Sequence, residues 1–388
     1  MTEAKIVRIT TVPVSLRILL KGQHRFMRQH FEIIGVSSSG KALQEVAENE
    51  GIRVIALEMK RNISPINDLV SLWKLVGLIR KEKPQIVHTH TPKAGTLGMI
   101  ASWICGVPVR LHTVAGLPLV EAKGFKRKIL NLVEKITYFC ATKVYPNSYG
   151  LKEIILQNNF AKAEKLKVIG NGSSNGIDTT HFSRISLNEE SLTQLRNTWN
   201  IGLDDFVFIF IGRLVKDKGM NELVSAFVRV NQQFPQTKLL LVGNEEPELD
   251  PLKSETIETI RNHRNIISTG FQSDVRPFLA ISKVLVFPSY REGFPNVPMQ
   301  AGAMGLPCIV TDINGCNEII IPGQNGLIIP PKDEKAIEEA MIRMLKEREL
   351  FTVLASKARE SIVSRYDQLT LWKLIKEEYD EQLKRHCK

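Results

Sequence analysis

The chain has 388 residues, 43% of them hydrophobic and 24% charged, which excludes a disordered or low-complexity polymer and suits two domains of roughly 150 to 200 residues. No apolar run approaches the ~18 to 20 residues that span a bilayer, and Met1–Lys5 is too polar for a secretory signal. The net charge of +11 is uneven: residues 1–178 carry 26 Lys and Arg against 13 Asp and Glu, the remainder 26 against 28. A basic half suits an anionic membrane surface or an anionic substrate. Nucleic acid is not expected, because aromatics are 7% and no nucleic-acid motif is present. Five scattered cysteines, Cys105, Cys140, Cys308, Cys316 and Cys387, lack metal-ligand spacing and point to a reducing, cytoplasmic compartment.

In chain order, Lys5–Val12 alternates as a first strand and Ser15–His30 follows as a helix. Strands at Glu32–Ser37 and Arg53–Leu57 flank a helix at Ala42–Glu50, and a long helix covers Ile66–Lys83. The strand Ile86–His88 ends in HTHTPKAG. Polar residues at the carboxyl end of such a strand lie where open α/β sheets bind ligands, which singles out His88, His90 and Lys93. The histidine pair suits metal ligation, acid/base work or plain hydrogen bonding; no acidic or cysteine partner stands nearby to favour a metal. Lys93 would add positive charge to the start of the next helix, where a phosphate could sit. Gly95–Val109 reads as a buried helix and Val107–Ala115 as a strand. The run Lys123–Lys128, KGFKRK, places four cations around Phe125, a composition suited to lipid headgroups or to a solvated face. A helix at Lys126–Cys140, strand Lys143–Pro146, helix Lys152–Gln157 and strand Lys167–Ile169 complete the first half.

Gly170–Asp178, GNGSSNGID, is the best linker and hinge candidate. Beyond it, the apolar run Phe206–Ile211 suits a central parallel strand and ends in GRLVKDKG, where Arg213 and Lys218 bracket a turn. Strands at Lys238–Val242 and Ile266–Gly270 lead to Gly243, Asn244 and Glu245 and to Phe271, which either stacks on a ligand or belongs to the core. After the strand Val284–Phe287 comes SYREGFPNVPMQAGAMG, Ser289–Gly305. Here Asn296 can cap a helix, Pro298 suits its first turn and Gly305 its end. A helix start favours an anion, and Glu292 beside it needs hydrogen-bond donors such as sugar hydroxyls. A sugar nucleotide fits, as does an ordinary turn with a solvated Glu. Strands at Cys308–Thr311 and Asn325–Ile329 and helices at Glu334–Lys346, Glu349–Ser364 and Gln368–Lys388 close the chain. The strand and helix alternation implies βαβ units around parallel sheets.

Ser289–Gly305 resembles the donor-binding loop of the retaining glycosyltransferases of family 4, the group typified by bacterial lipopolysaccharide, capsule and undecaprenyl-diphosphate-glycan transferases. Glu292, Gly293, Phe294 and Pro295 match its pattern, whereas Gln300 stands where a second Glu is usual. The resemblance implies an α/β fold of the GT-B type, two Rossmann-like domains with parallel sheets facing across a cleft. It would divide the chain into an acceptor domain over 1–175, a nucleotide-sugar domain over 176–365 and a final helix, 366–388, crossing back to the first.

It further implies that Glu292, Arg213 and Lys218 act in catalysis, with Arg213 and Lys218 on the donor diphosphate and Glu292 on the sugar. Gly212, Gly243, Glu245 and Phe271 would hold the donor together with Gly293, Phe294, Pro295, Asn296, Val297 and Gln300, the last on the ribose. His88, His90 and Lys93 would meet the acceptor. The implied partners are a nucleotide sugar, most simply UDP-linked, and a lipid-linked glycan, with the basic half near the inner membrane surface. No cofactor or metal is expected, because no two Asp residues stand two apart. The chain departs from the family at Ala115, where many members carry His, and at Val14 and Ser15, where many carry a Gly-Gly pair. A sugar-nucleotide 2-epimerase and a non-catalytic sugar-nucleotide-binding protein are the alternatives.

Overall fold

The computed structural model describes residues 4–60, 62, 64–117, 124–246, 248 and 250–387, without the side chains of 125 and 126. The chain packs as two compact units, Met1–Gly176 with Gln368–Lys388, and Ile177–Asp367. It passes between them inside the Gly170–Asp178 run.

The first unit winds β1 (Lys5–Ile9), α1 (Pro13–Leu19), α2 (Gln23–Met27), β2 (Glu32–Ser37), α3 (Lys41–Glu50), β3 (Arg53–Ala56), α4 (Pro65–Glu82), β4 (Ile86–Thr89), α5 (Pro92–Ile104), β5 (Val109–Val114), α6 (Gly124–Cys140), β6 (Lys143–Pro146) and α7 (Tyr149–Gln157). Its six strands are all parallel, in the order β3-β2-β1-β4-β5-β6. Helices on both faces explain why the strands read as apolar runs, with Ile6, Val7, Ile9, Val87 and Leu111 fully buried.

The second unit contains α8 (Glu189–Thr198), β7 (Phe206–Ile211), α9 (Met220–Gln233), β8 (Thr237–Val242), α10 (Ser254–Asn262), β9 (Ile266–Ser268), α11 (Arg276–Ala280), β10 (Val284–Phe287), α12 (Asn296–Ala303), β11 (Cys308–Thr311), α13 (Cys316–Ile319), β12 (Gly326–Ile329), α14 (Glu334–Lys346) and α15 (Arg348–Tyr366). Its sheet is also parallel, ordered β12-β11-β10-β7-β8-β9. In each unit the order reverses beside the first strand, between β1 and β4 and between β7 and β10. Those two points are the switch points at whose crevice open parallel α/β sheets characteristically bind ligands.

The last helix, α16 (Gln368–His386), belongs to the first unit. Tyr379, on its buried face, receives a hydrogen bond from Arg8 Nη2 at 2.8 Å and meets His88 Nδ1 at 2.6 Å. Glu378 accepts from the Tyr145 hydroxyl and pairs with Lys167.

Four expectations change. The helix over Ser15–His30 is two helices, broken where Gly22 adopts φ +78°. Gly95–Val109 is not one helix, since α5 ends at Ile104 and Val109 opens β5. Lys167–Ile169 forms no strand: a single bridge from Leu166 to Val144 extends the edge of the sheet. Asn296 is the first residue of α12 rather than its cap, because Pro295, extended and without an N–H, takes the flanking place.

Candidate active site

The second unit gathers its loops at the carboxyl edge of its sheet through contacts only glycine permits. A Cβ on Gly219, at φ +71°, would lie 2.2 Å from the Pro288 carbonyl oxygen; one on Gly243 would lie 1.8 Å from that of Gly212. The loop after β7 is therefore pressed against the loops after β10 and β8. Backbone bonds seal both joints, from Tyr290 N to Asp217 O at 2.8 Å and from Leu214 N to Asn244 O at 2.8 Å. Gly315, after β11, touches the Gly293 carbonyl in the same way, and Asn314 Nδ2 donates to that oxygen at 2.5 Å.

This layer brings Lys218 and Glu292 together. Lys218 Nζ donates to Glu292 Oε1 at 2.5 Å, and the Ser289 hydroxyl donates to the same oxygen at 3.0 Å. Both side chains are mostly buried, at 15% and 17% exposure. Ser289 is itself held by Thr311, whose hydroxyl donates to the Ser289 carbonyl at 2.5 Å. Tyr290 is fixed from two sides: its hydroxyl donates to Glu222 at 2.7 Å, and Lys332 Nζ stands 4.9 Å from its ring centroid. Burial, followed by the bond to Glu222, pushes the Tyr290 hydroxyl pKa up. Asp217 accepts from Arg291 Nη2 at 3.0 Å. The carboxylate and ammonium thus sit on one braced layer at the β7/β10 crevice, where an anionic polyol would meet both.

The helix start lies beside them. Among the described residues the N–H groups of Asn296 and Val297 meet no acceptor. Asn296 is exposed, and Gln300 lies one turn further along the same face. Phe294 turns inward, with its ring centroid 5.5 Å from that of Tyr366, so it shapes the loop from behind. Pro295 is buried and Val297 packs on the core. Arg213 is exposed and pairs with Glu246 at 3.1 Å, not with Glu292. Gly212 and Gly243 form the joint between the β7 and β8 loops, and Glu245 bridges to Leu214. Phe271 is 72% exposed, which removes the core reading; its N–H donates to Asn244 Oδ1 at 2.8 Å.

In the first unit, the crevice between β1 and β4 is closed by a threonine pair. Thr11 N donates to Thr91 Oγ1 at 2.9 Å, and the Ala94 N–H near the start of α5 donates to Thr11 Oγ1 at 3.2 Å. Lys93 points away from that helix start to Asp68, at 2.6 Å. His88 and His90 are brought together, with ring centroids 4.0 Å apart. His88 bonds Tyr379 through Nδ1 and Thr113 through Nε2 at 2.8 Å. His90 is buried with neither ring nitrogen paired, and both rings line a small cavity with Gln23, Tyr145, Asn147 and Ser174. Burial first, and then neighbouring charges with Arg8 among them, holds His24, His88 and His90 well below the usual histidine pKa, hence neutral.

Sequence reasoning missed Arg8, His24 and Tyr379. Arg8 is fully buried with Nε and Nη1 unpaired, and His24 has both ring nitrogens unpaired. The available signal was an arginine inside the apolar strand KIVRI. Of Lys123–Lys128, Lys123 and the side chains of Phe125 and Lys126 lie outside the described residues. Among the described residues no three His, Cys, Asp or Glu side chains converge on a metal-sized site, and no helix is long and apolar enough to cross a membrane.

Residues 193–361 match the model of the glycosyl transferases group 1, and residues 21–172 that of the glycosyl transferase 4-like domain. The chain is 37% identical over 389 residues to a Staphylococcus aureus capsular polysaccharide biosynthesis glycosyltransferase, CapM, covering 99% of both chains. It is 30% identical to an Escherichia coli UDP-Gal:alpha-D-GlcNAc-diphosphoundecaprenol alpha-1,3-galactosyltransferase, over 96% of this chain and 97% of that one. Its fold superposes on Anabaena Alr3699/HepE, solved in complex with UDP, with a TM-score of 0.81 at 19% identity, over 98% of this chain and all of the other.

Proposed function

Because the chain belongs to the family of group 1 glycosyltransferases, with the GT-B fold, we propose that it moves a sugar from a UDP-linked donor to a hydroxyl of a lipid-linked glycan. The anomeric configuration is retained, and the product serves a surface polysaccharide. The observation that carries this is the Lys218–Glu292 pair at the β7/β10 crevice. Lys218, Arg213 and the free N–H groups opening α12 form a cationic cradle for the diphosphate, which gains charge as the bond to the sugar breaks. Glu292, positioned by the hydrogen bonds from Lys218 and Ser289, accepts hydrogen bonds from the sugar hydroxyls. Gln300 reaches a ribose hydroxyl, and Phe271 offers an exposed face to the base.

The acceptor is met by the first unit. His90, neutral and unpaired, can donate to or accept from a hydroxyl, and His88 is oriented by Tyr379 and Thr113. Lys93 joins when the acceptor phosphate draws it from Asp68. Cations and helix amides supply the charge stabilisation, and no metal takes part. The protein works in the cytoplasm at the inner face of the membrane, as the acceptor of its Escherichia coli relative, an undecaprenol diphosphate, suggests.

A panel of nucleotide sugars incubated with membrane extract tests the reading through diphosphate release and product mass. Lys218→Ala and Glu292→Ala each lower transfer by about a hundredfold or more, with unchanged circular dichroism. Full activity in either variant removes its assigned role. Epimer formed from UDP-N-acetylglucosamine alone would favour an epimerase instead.

A further inference from the structure

Helix α6 carries an exposed apolar row in addition to its buried side. Its inner side buries Tyr138 and Cys140. Its outer side carries Ile129, Leu132, Ile136 and Phe139, spaced i, i+3, i+7, i+10 and exposed by 39, 59, 39 and 70%. Contiguous exposed apolar surface normally marks an interaction site. The row continues onto α5, where Trp103 has its ring centroid 6.3 Å from that of Phe139. On the other side, Phe139 borders an open groove of about 940 Å³ whose apolar wall is Ile136, Leu156 and Phe160.

The charges around this surface are nearly all of one sign. Lys128 and Lys135 are exposed within the helical row. Lys135, Lys162 and Lys165 rim the groove, with Lys165 Nζ 5.9 Å from the Phe139 ring centroid. Among the described residues Glu164 is the one acidic group lining the groove, and it lies 3.9 Å from Lys162. The unit as a whole carries 31 Lys and Arg against 16 Asp and Glu.

From this arrangement we infer that the outer face of α6, with the groove beside it, docks the first unit onto an anionic lipid bilayer. The apolar side chains enter the headgroup boundary, while the lysines, stems along the apolar surface, meet lipid phosphates. A second copy of the chain fits less well, because a twofold contact would set lysine rows against each other. A second exposed apolar row, Ile66, Leu69, Val70 and Trp73, lies on α4. The inference rests on the membrane-bound acceptor proposed above and names the surface that reaches it.

Cosedimentation of the full chain with vesicles tests it, comparing phosphatidylcholine alone with an equal mixture of phosphatidylcholine and phosphatidylglycerol. The protein is expected to bind the mixed vesicles and not the neutral ones. Leu132→Ser with Phe139→Ser, and Lys135→Glu with Lys162→Glu, each weaken binding at least about tenfold, while Ile185→Ser, an exposed apolar change in the second unit, leaves it unaltered. All three variants keep the wild-type thermal midpoint and their transfer to a short, water-soluble acceptor. Wild-type failure to bind the mixed vesicles, undiminished binding by both double variants, or a dimer that the serine variants dissociate would overturn the inference. Absence of transfer in the wild type, with vesicle binding intact, would instead sink the proposed reaction.

Discussion

At the scale of single residues, Glu292 is aimed by two donors. Ser289 and Lys218 both donate to Oε1, which leaves the lone pairs of Oε2 for a ligand. A sequence can show that Glu292 and Lys218 exist; it cannot show that residues 74 positions apart share one hydrogen bond. The same distance problem hid Arg8, since its partner Tyr379 is 371 positions away. Phe271 was ambiguous because an aromatic after a strand suits core and ligand equally, and only its exposure decides. Gln300 offers a test at this scale. Gln300→Glu adds a charged acceptor at the proposed ribose contact, and a charge-assisted bond is roughly twice as strong as a neutral one. It should lower the donor KM about fivefold, a gain of roughly 1 kcal/mol, with kcat nearly unchanged, as expected for uniform binding. Steady-state kinetics with varied donor measure this. A changed kcat at constant KM would place Gln300 elsewhere.

At the scale of elements, the strands were the legible part. Phe206–Ile211 and Val284–Phe287 end where their apolar runs end, because a parallel strand buried on both faces reads as a near-continuous apolar run; Arg8 in β1 and His88 in β4 are buried exceptions. Helix boundaries were less legible where one backbone conformation overrides periodicity, as at Gly22, or where a proline shifts the start, as at Pro295. The edge of the first sheet was misread for a related reason: Lys167–Ile169 has strand-like composition but only one paired residue before it, and pairing is a tertiary outcome. Helix α16 is fastened to its sheet by buried polar contacts as well as by Leu371 and Ile375. Tyr379→Phe removes the hydroxyl shared by Arg8 and His88 and leaves two buried groups unpaired, at a cost of about 1–3 kcal/mol. Urea denaturation of the full chain should show the lower midpoint. An unchanged midpoint would mean that water replaces the hydroxyl.

At the scale of the whole molecule, the first unit buries histidines and the second gathers the loops of the proposed donor site. His24, His88 and His90 are neutral when folded but would charge in the unfolded chain below the ordinary histidine pKa of 6.5. Burial also lowers His112, to about 4. Depressed histidine pKa values mean that the unfolded chain binds more protons, so stability falls as pH drops below 6.5. Each histidine contributes up to about 1.4 kcal/mol per pH unit until its folded pKa is reached. Thermal midpoints measured from pH 8 to 5, a window chosen to bracket the ordinary histidine value of about 6.5, should be level and then decline, and His90→Gln should make the decline shallower. A flat profile would mean that the rings are hydrated.

The structure of the protein bound to an intact or non-hydrolysable UDP-sugar tests the central claim most directly. The diphosphate is expected within hydrogen-bonding reach of Lys218 and the N–H groups of Asn296 and Val297, with Glu292 on a hydroxyl of the sugar. A diphosphate bound away from the β7/β10 crevice, with the Lys218–Glu292 pair untouched, would contradict it.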